Sequence, residues 1–421
     1  MKILLVNTAE RTGGAAVACG RLLEALNKQE GVTAKMLVRD KQTNHPQVIA
    51  VGHKWWMKFC FVWERFCIWV ANRLSRKNLF AVDIANVGID ITRLPAFKEA
   101  DIIHLHWVNQ GMLSLKGIRK ILASGKPVVW TMHDMWPCTG ICHYAYACHH
   151  FKSECQNCPF LTIPTKKDLS NRVFIAKKNI FKNQKIHVIS VSRWLAQQVE
   201  QSVLLKEMPL YVIPNTLSLD DFPLIDKQTV CNNWHFPQKH LLLFGAARID
   251  DYIKGVDFLI EAIKLLLKKT IFSPNELHLV LFGAIKRPDL LFPRIPVSYT
   301  YCGKINSTKT LAELYSAADV TISASYYETF GQTLIEAQAC GCIPVSFDNS
   351  GQTDIIQHKK NGYLAKHLSV EDLAEGIRWS LEDAPTIVSR EELRNEVSER
   401  FGTDVVAKET INIYKQILDK P

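Results

Sequence analysis

The chain has 421 residues, 47% hydrophobic and 22% charged, a composition that fits a globular protein and excludes a fibrous or disordered one. That length exceeds one ordinary core, so two domains are expected. A formal charge of +10 favours an anionic partner, but no pattern of a nucleic-acid-binding module is present, which leaves an acidic membrane surface or a phosphorylated ligand.

The N-terminus, Met1-Lys2-Ile3-Leu4-Leu5-Val6-Asn7, turns polar too soon for a signal peptide and lacks a small-residue cleavage site. A cytoplasmic, reducing location is therefore expected. The 12 cysteines show no even framework that would make a disulfide scaffold.

In chain order, the first apolar run ends in a loop with Gly13-Gly14, followed by helical spacing over 15–26. Runs at 34–38, 101–106 and 127–132 have the look of buried strands, with a helix over 113–122. Strands at 187–191 and 210–213 extend the series. Alternation of this kind predicts a parallel sheet with crossover helices. After Pro214-Asn215 the chain turns irregular, and a second series begins: strands at 241–244, 277–282, 299–302, 320–322 and 343–345, with helices over 256–267, 311–317 and 334–339. Two doubly wound α/β domains follow, and ligands of such sheets sit beyond the strand C-termini.

Residues 54–77 break the rhythm. They hold Trp55, Trp56, Phe59, Phe61, Trp63, Phe66 and Trp69, interrupted by Lys58, Glu64 and Arg65 and closed by Arg73, Arg76 and Lys77. The apolar run is too short and too charged to span a bilayer. Two readings stand: a helix that buries much of its aromatic surface, or an interfacial helix with aromatics in lipid and cations at acidic headgroups.

The second domain carries Ser325-Tyr326-Tyr327-Glu328-Thr329-Phe330-Gly331-Gln332-Thr333-Leu334-Ile335-Glu336-Ala337, then Gly341-Cys342-Ile343-Pro344-Val345. A strand ending near Ser323, a loop with Glu328 and a helix starting near Gly331 put one carboxylate at the helix entrance and the other on its first turns. Carboxylates there accept hydrogen bonds from hydroxyls, and a helix N-terminus offers N–H groups to phosphate. This pattern resembles the retaining glycosyltransferases of family 4, with the fold called GT-B, two Rossmann-like doubly wound domains facing across a cleft. The resemblance covers nearly the whole chain. It implies that Glu336 holds the nucleotide ribose, that Glu328 lies beside the donor sugar, and that Phe330 and Gly331 belong to the donor site.

The other stations follow. Gly245-Ala246-Ala247-Arg248 leads to Lys254-Gly255, and a fixed Arg and Lys suit the charge that develops on a departing diphosphate. In the family this pair acts without a metal. Gly13 and Gly14 match the family's loop facing the donor phosphates and acceptor, where glycine lets backbone approach a ligand. His133 matches a histidine set against the donor sugar; Asp134 beside it is less specific and suits a turn cap.

Cys142, Cys148, Cys155 and Cys158 lie in a Cys-rich insertion at 138–158. Structural zinc, free thiols and disulfides are all open there. Cys155-Gln156-Asn157-Cys158 has zinc-compatible spacing, whereas the Cys142–Cys148 interval is wide.

The expected organisation is an acceptor-side domain over 1–216, a nucleotide-sugar domain over 217–400, and a helix at 401–421 packing back on the first domain. The expected activity is transfer of a sugar from a nucleoside-diphosphate sugar to a hydroxyl, with retention, for surface polysaccharide or glycolipid assembly. No cofactor is required beyond that donor. The acceptor is a saccharide or lipid-linked saccharide, and 54–77 is a candidate contact with an acidic membrane at its inner face. A GT-B epimerase, or a non-catalytic nucleotide-sugar-binding relative, is the alternative.

Overall fold

A computed structural model describes residues 1–419; Lys420 and Pro421, the end of the segment expected to pack back on the first domain, lie outside the described residues. The chain divides into two compact units, residues 1–216 joined by those from Val406 onward, and Leu217–Val405.

In the first unit the order is β1 (Lys2–Ala9), α1 (Gly14–Asn27), β2 (Thr33–Asp40), β3 (Val48–Ala50), α2 (Lys54–Ala71), α3 (Pro95–Glu99), β4 (Ile102–Leu105), α4 (Leu115–Leu122), β5 (Val128–Met132), α5 (Leu169–Phe181), β6 (Ile186–Ser190), α6 (Arg193–Gln201) and β7 (Leu210–Val212). The second contains α7 (Lys227–Trp234), β8 (His240–Arg248), α8 (Val256–Lys268), β9 (Leu277–Ala284), α9 (Pro288–Leu291), β10 (Ser298–Tyr301), α10 (Thr308–Ala317), β11 (Val320–Ser323), α11 (Gln332–Ala339), β12 (Ile343–Phe347), β13 (Tyr363–Ala365), α12 (Val370–Glu382) and α13 (Arg390–Phe401). Helix α14 (Thr403–Leu418) begins there and ends in the first unit.

Both sheets are parallel, ordered β3-β2-β1-β4-β5-β6-β7 and β10-β9-β8-β11-β12-β13. Each unit is a Rossmann-like domain. The apolar strand runs are buried on both faces, as helices on either side require. Helix α8 shows the matching period, burying Val256, Leu259, Ile260, Ile263 and Leu266 against Leu242, Leu279 and Val345. Serine side chains cap α10, α12 and α13, the last through a Ser389–Glu392 capping box. The core of the first sheet includes Ile3, Leu5, Val129 and Ile189 together with Val406, Ile411, Tyr414 and Ile417 of α14.

The topology fixes where ligands go. Strand order reverses between β1 and β4 in one unit and between β8 and β11 in the other, and the crevice beyond such a switch point is the usual binding position.

Candidate active site

In the second unit, Arg248 ends β8 and Lys254 closes the short turn behind it. Gly255 then has φ +68°, and a Cβ there would lie 2.0 Å from the Ala324 carbonyl oxygen, so only glycine lets this turn rest on the loop after β11. The two loops are further joined by Tyr326 N–H donating to the Ile253 carbonyl at 2.9 Å and by the Tyr252 and Tyr326 rings, 4.6 Å apart. Lys254 Nζ donates to Glu328 Oε1, which also accepts from Ser325 Oγ at 3.0 Å. Glu328 is pinned through its backbone: its N–H donates to Ser350 Oγ at 3.0 Å and its carbonyl accepts from Gly351 at 2.7 Å.

Arg248 Nη2 meets Asp251 Oδ2 at 2.6 Å. Asp250 Oδ1 lies 3.6 Å from Arg248 Nε, while its Oδ2 accepts the N–H groups of Lys286 and Arg287 at 2.8 and 2.9 Å. The Arg248 and Lys254 side chains stay 37% and 30% exposed, so both cations are reachable. Gly331 precedes α11, Phe330 is buried edge-on against Phe401 at 5.7 Å, and Glu336 is buried on the helix, accepting from Tyr315 Oη at 3.2 Å. Burial, then the Glu336 charge, pushes the Tyr315 phenol well above its usual range. Arg248, Lys254, Glu328 and Glu336 thus gather at the β8/β11 switch point.

In the first unit, Gly13 (φ +93°) leads from the β1 loop into α1. His133 follows β5, and its Nε2 shares a hydrogen bond of 2.9 Å with His106 Nδ1, the two rings stacked 5.2 Å apart. His104 continues the array: its ring lies 4.4 Å from His106, and its nitrogens meet Tyr414 Oη at 2.6 Å and Thr131 Oγ1 at 2.7 Å. Burial lowers all three imidazoles, His133 to about 4 and His104 to about 3. They are therefore neutral donors and acceptors near pH 7. His106 and Thr131 also line a small cavity of about 20 Å³.

Asp134 does more than cap a turn. It accepts from Trp136 N–H at 2.8 Å and Trp107 Nε1 at 2.7 Å, and meets His143 Nδ1 at 2.6 Å. Burial opposes its ionisation, yet the His143 contact and these donors hold its carboxyl below the usual range. His143 Nε2 reaches Asp83 at 2.6 Å, and Asp83 in turn pairs with Arg65 of α2. Sequence reasoning missed His106, His143, Asp83 and Tyr315 in these roles. The His-x-His of β4 was a usable signal, because alternate strand residues share a face.

Structural zinc on Cys142, Cys148, Cys155 and Cys158, one of the three readings open for this insertion, is not supported. The four line one small cavity of about 20 Å³, but among the described residues no group of three or more His, Cys, Asp or Glu is placed to hold a metal ion. All 12 cysteines are free. Polar contacts pin the segment instead. Fully buried Lys177 donates to the Trp136 and Thr139 carbonyls at 2.6 and 3.0 Å, and Asp168 accepts the Cys158 N–H at 2.8 Å.

Comparison with known proteins bears on the family and the fold. The family model for glycosyltransferase family 4 matches residues 12–221, and that for glycosyl transferases group 1 matches 226–400. An uncharacterized glycosyltransferase of Methanocaldococcus jannaschii is 26% identical over 83% of this chain and 93% of its own. The fold matches sucrose-phosphate synthase of Thermosynechococcus elongatus, with a TM-score of 0.69, 18% identity and complete coverage of both chains. It also matches Anabaena HepE, solved with UDP and glucose, with a TM-score of 0.66, 15% identity and coverage of 99% and 100%. The chain is a glycosyltransferase and belongs to the group 1 family of GT-B fold.

Proposed function

We propose that the protein transfers a glycosyl unit from a nucleoside-diphosphate sugar to a hydroxyl acceptor, retaining anomeric configuration and using no catalytic metal. The observation that carries this reading is the pairing of Lys254 with Glu328 beside Arg248 at the β8/β11 switch point. As the bond from the anomeric carbon to the diphosphate breaks, its electron pair passes to the phosphate oxygen. Arg248 and Lys254 meet the charge that develops there. The acceptor oxygen bonds the same face of the anomeric carbon, and its proton goes to the departing phosphate. Glu336 anchors the ribose, the N-terminus of α11 at Gly331 faces phosphate, and Phe330 packs beneath it. Glu328 and His133 orient the donor sugar through its hydroxyls, while Gly13 and Gly14 leave backbone open to phosphates and acceptor.

The acceptor is a saccharide or lipid-linked saccharide of surface polysaccharide or glycolipid assembly. The protein works in the cytoplasm, peripherally at an acidic membrane face through residues 54–77. Among the described residues no helix is long and apolar enough to cross a membrane.

A thermal-shift panel of UDP, GDP, ADP and their sugar conjugates, with and without Mg²⁺, tests the donor site. The UDP in HepE makes uracil the first base to try. One base is expected to raise the midpoint regardless of metal, and Arg248→Ala to abolish the rise. No shift with any nucleotide overturns the reading.

A further inference from the structure

Helix α2 turns its charged pair inward and its rings outward. Its one acid, Glu64, is buried and accepts the N–H groups of Ile84 and Ala85 at 3.0 and 2.6 Å. Arg65 is buried beside it, paired with Asp83 and donating to the Leu79 and Val82 carbonyls at 2.7 and 3.1 Å. The helix backbone is seated directly on Gly111, where a Cβ would lie 2.7 Å from the backbone of Cys60 and Phe61. Outward, Trp56, Phe59, Trp63, Phe66 and Trp69 form a ladder with successive centroids 5.3, 5.9, 5.8 and 6.0 Å apart. Trp55 at its head is 72% exposed. The helix therefore does not bury its aromatic surface.

The exposed apolar surface continues past the helix. Leu74 and Phe80 are 58% and 62% exposed. The Cys-rich segment adjoins them: Thr162 N–H donates to Asn72 Oδ1 at 2.7 Å, and Asn78 Nδ2 donates to the Phe160 carbonyl at 3.1 Å. It adds Ile163, 52% exposed, and Tyr146, whose ring lies 5.9 Å from Phe160. Exposed cations border these residues: Lys54 and Lys58 at one end, Arg73, Arg76 and Lys77 at the other, and Lys166 and Lys167 on the loop. Neither 72–80 nor 159–167 contains an acid.

We propose that α2, the 73–80 turn and the 160–167 loop form one face that seats on an anionic lipid bilayer, with the helix lying in the headgroup plane. The proposal rests on the membrane reading above and extends it by giving the Cys-rich segment a share of the surface. Indole and phenyl rings beside cations, without exposed acid, suit an interface whose interior is apolar and whose headgroups are negative. A second copy of the chain is a poor occupant. Both ends of the patch are cationic, so a two-fold contact brings like charges together in either helix direction.

Flotation of the full chain with phosphatidylcholine vesicles, with and without phosphatidylglycerol, tests this. The wild type is expected to float with the anionic vesicles. Arg73→Glu with Arg76→Glu should lower partitioning more than about tenfold, since each basic residue near such a surface contributes about 1 kcal/mol. Trp56→Ser, Phe59→Ser and Trp63→Ser together should abolish it, and Phe80→Ser with Ile163→Ser should lower it severalfold. Every altered side chain is exposed, and an unchanged thermal midpoint certifies the fold of each variant. Undiminished flotation of the Phe80/Ile163 variant overturns the composite face and leaves 54–77 alone. Failure of the wild type to float, or a dimer in light scattering that the ring variant dissociates, overturns the lipid assignment. The nucleotide-induced shift, measured on the same variants, reads the transferase function separately.

Discussion

The two units carry polar clusters beside their sheets in different electrical states. At the β8/β11 switch point the groups are ionised and partly solvated, each cation resting on a carboxylate: Arg248 on Asp251, Lys254 on Glu328. Beside β4 and β5 they are imidazoles, buried and held neutral by desolvation. Under the proposed function the difference suits what each would bind. A diphosphate requires full positive charge, and keeping that charge partly hydrated avoids the cost of burying an ion. A sugar hydroxyl requires only a donor and an acceptor, which a neutral ring supplies at little desolvation cost.

The largest effect expected is a split between activity and stability in the charged half. Lys254→Ala should lower kcat/KM about a hundredfold or more, the scale for removing a group that meets developing charge. Its pair is partly exposed, so stability should change by no more than about 1 kcal/mol. Steady-state kinetics beside thermal melts check both, and a large fall in midpoint with little lost turnover would make the pair structural.

In the histidine half the effect is on stability and depends on pH. Unfolded histidine titrates near about 6.5, while folded His133 and His104 titrate at about 4 and about 3. Between these values the unfolded chain binds more protons, so stability is lost as pH falls from about 6.5 towards about 4. Midpoints recorded between pH 7.5 and 5 should drop, and His133→Asn should flatten the slope. A flat wild-type profile removes the contrast between the halves.

Much of this frame was legible because its signals are local. Strands such as 127–132 and 277–282 are continuous apolar runs, and the Glu328–Glu336 motif lies within one loop and helix. What was not legible depends on contacts remote in sequence. Strands β3 and β13 have three residues each, too few to show a period. Helix α13 buries only Leu393, Val397 and Phe401 among charges. The network from Arg65 through Asp83 and His143 to Asp134 joins residues 18, 60 and 9 positions apart, which no spacing announces. Residues 54–77 were ambiguous for a sharper reason. A Glu-Arg pair inside an aromatic stretch ordinarily marks the solvent side, and here backbone N–H and carbonyl groups and the Asp83 carboxylate meet it inside, with Glu64 Oε2 and Arg65 Nε left without a hydrogen-bond partner and the rings outside.

The smallest effect tests whether every member of the charged half acts on the chemical step. Tyr315 donates to Glu336 from within the core, far less accessible than Arg248 or Lys254. Tyr315→Phe removes that hydrogen bond and should cost about 1 kcal/mol of stability. Glu336 keeps its place on α11, so nucleoside-diphosphate affinity should weaken less than about tenfold, with kcat at saturating donor unchanged. That is the pattern of a group engaged equally in ground and transition states. A kcat loss as deep as that of Lys254→Ala would mean that ribose anchoring and charge stabilisation act as one unit, and the β8/β11 switch point would have to be treated as a single cooperative site.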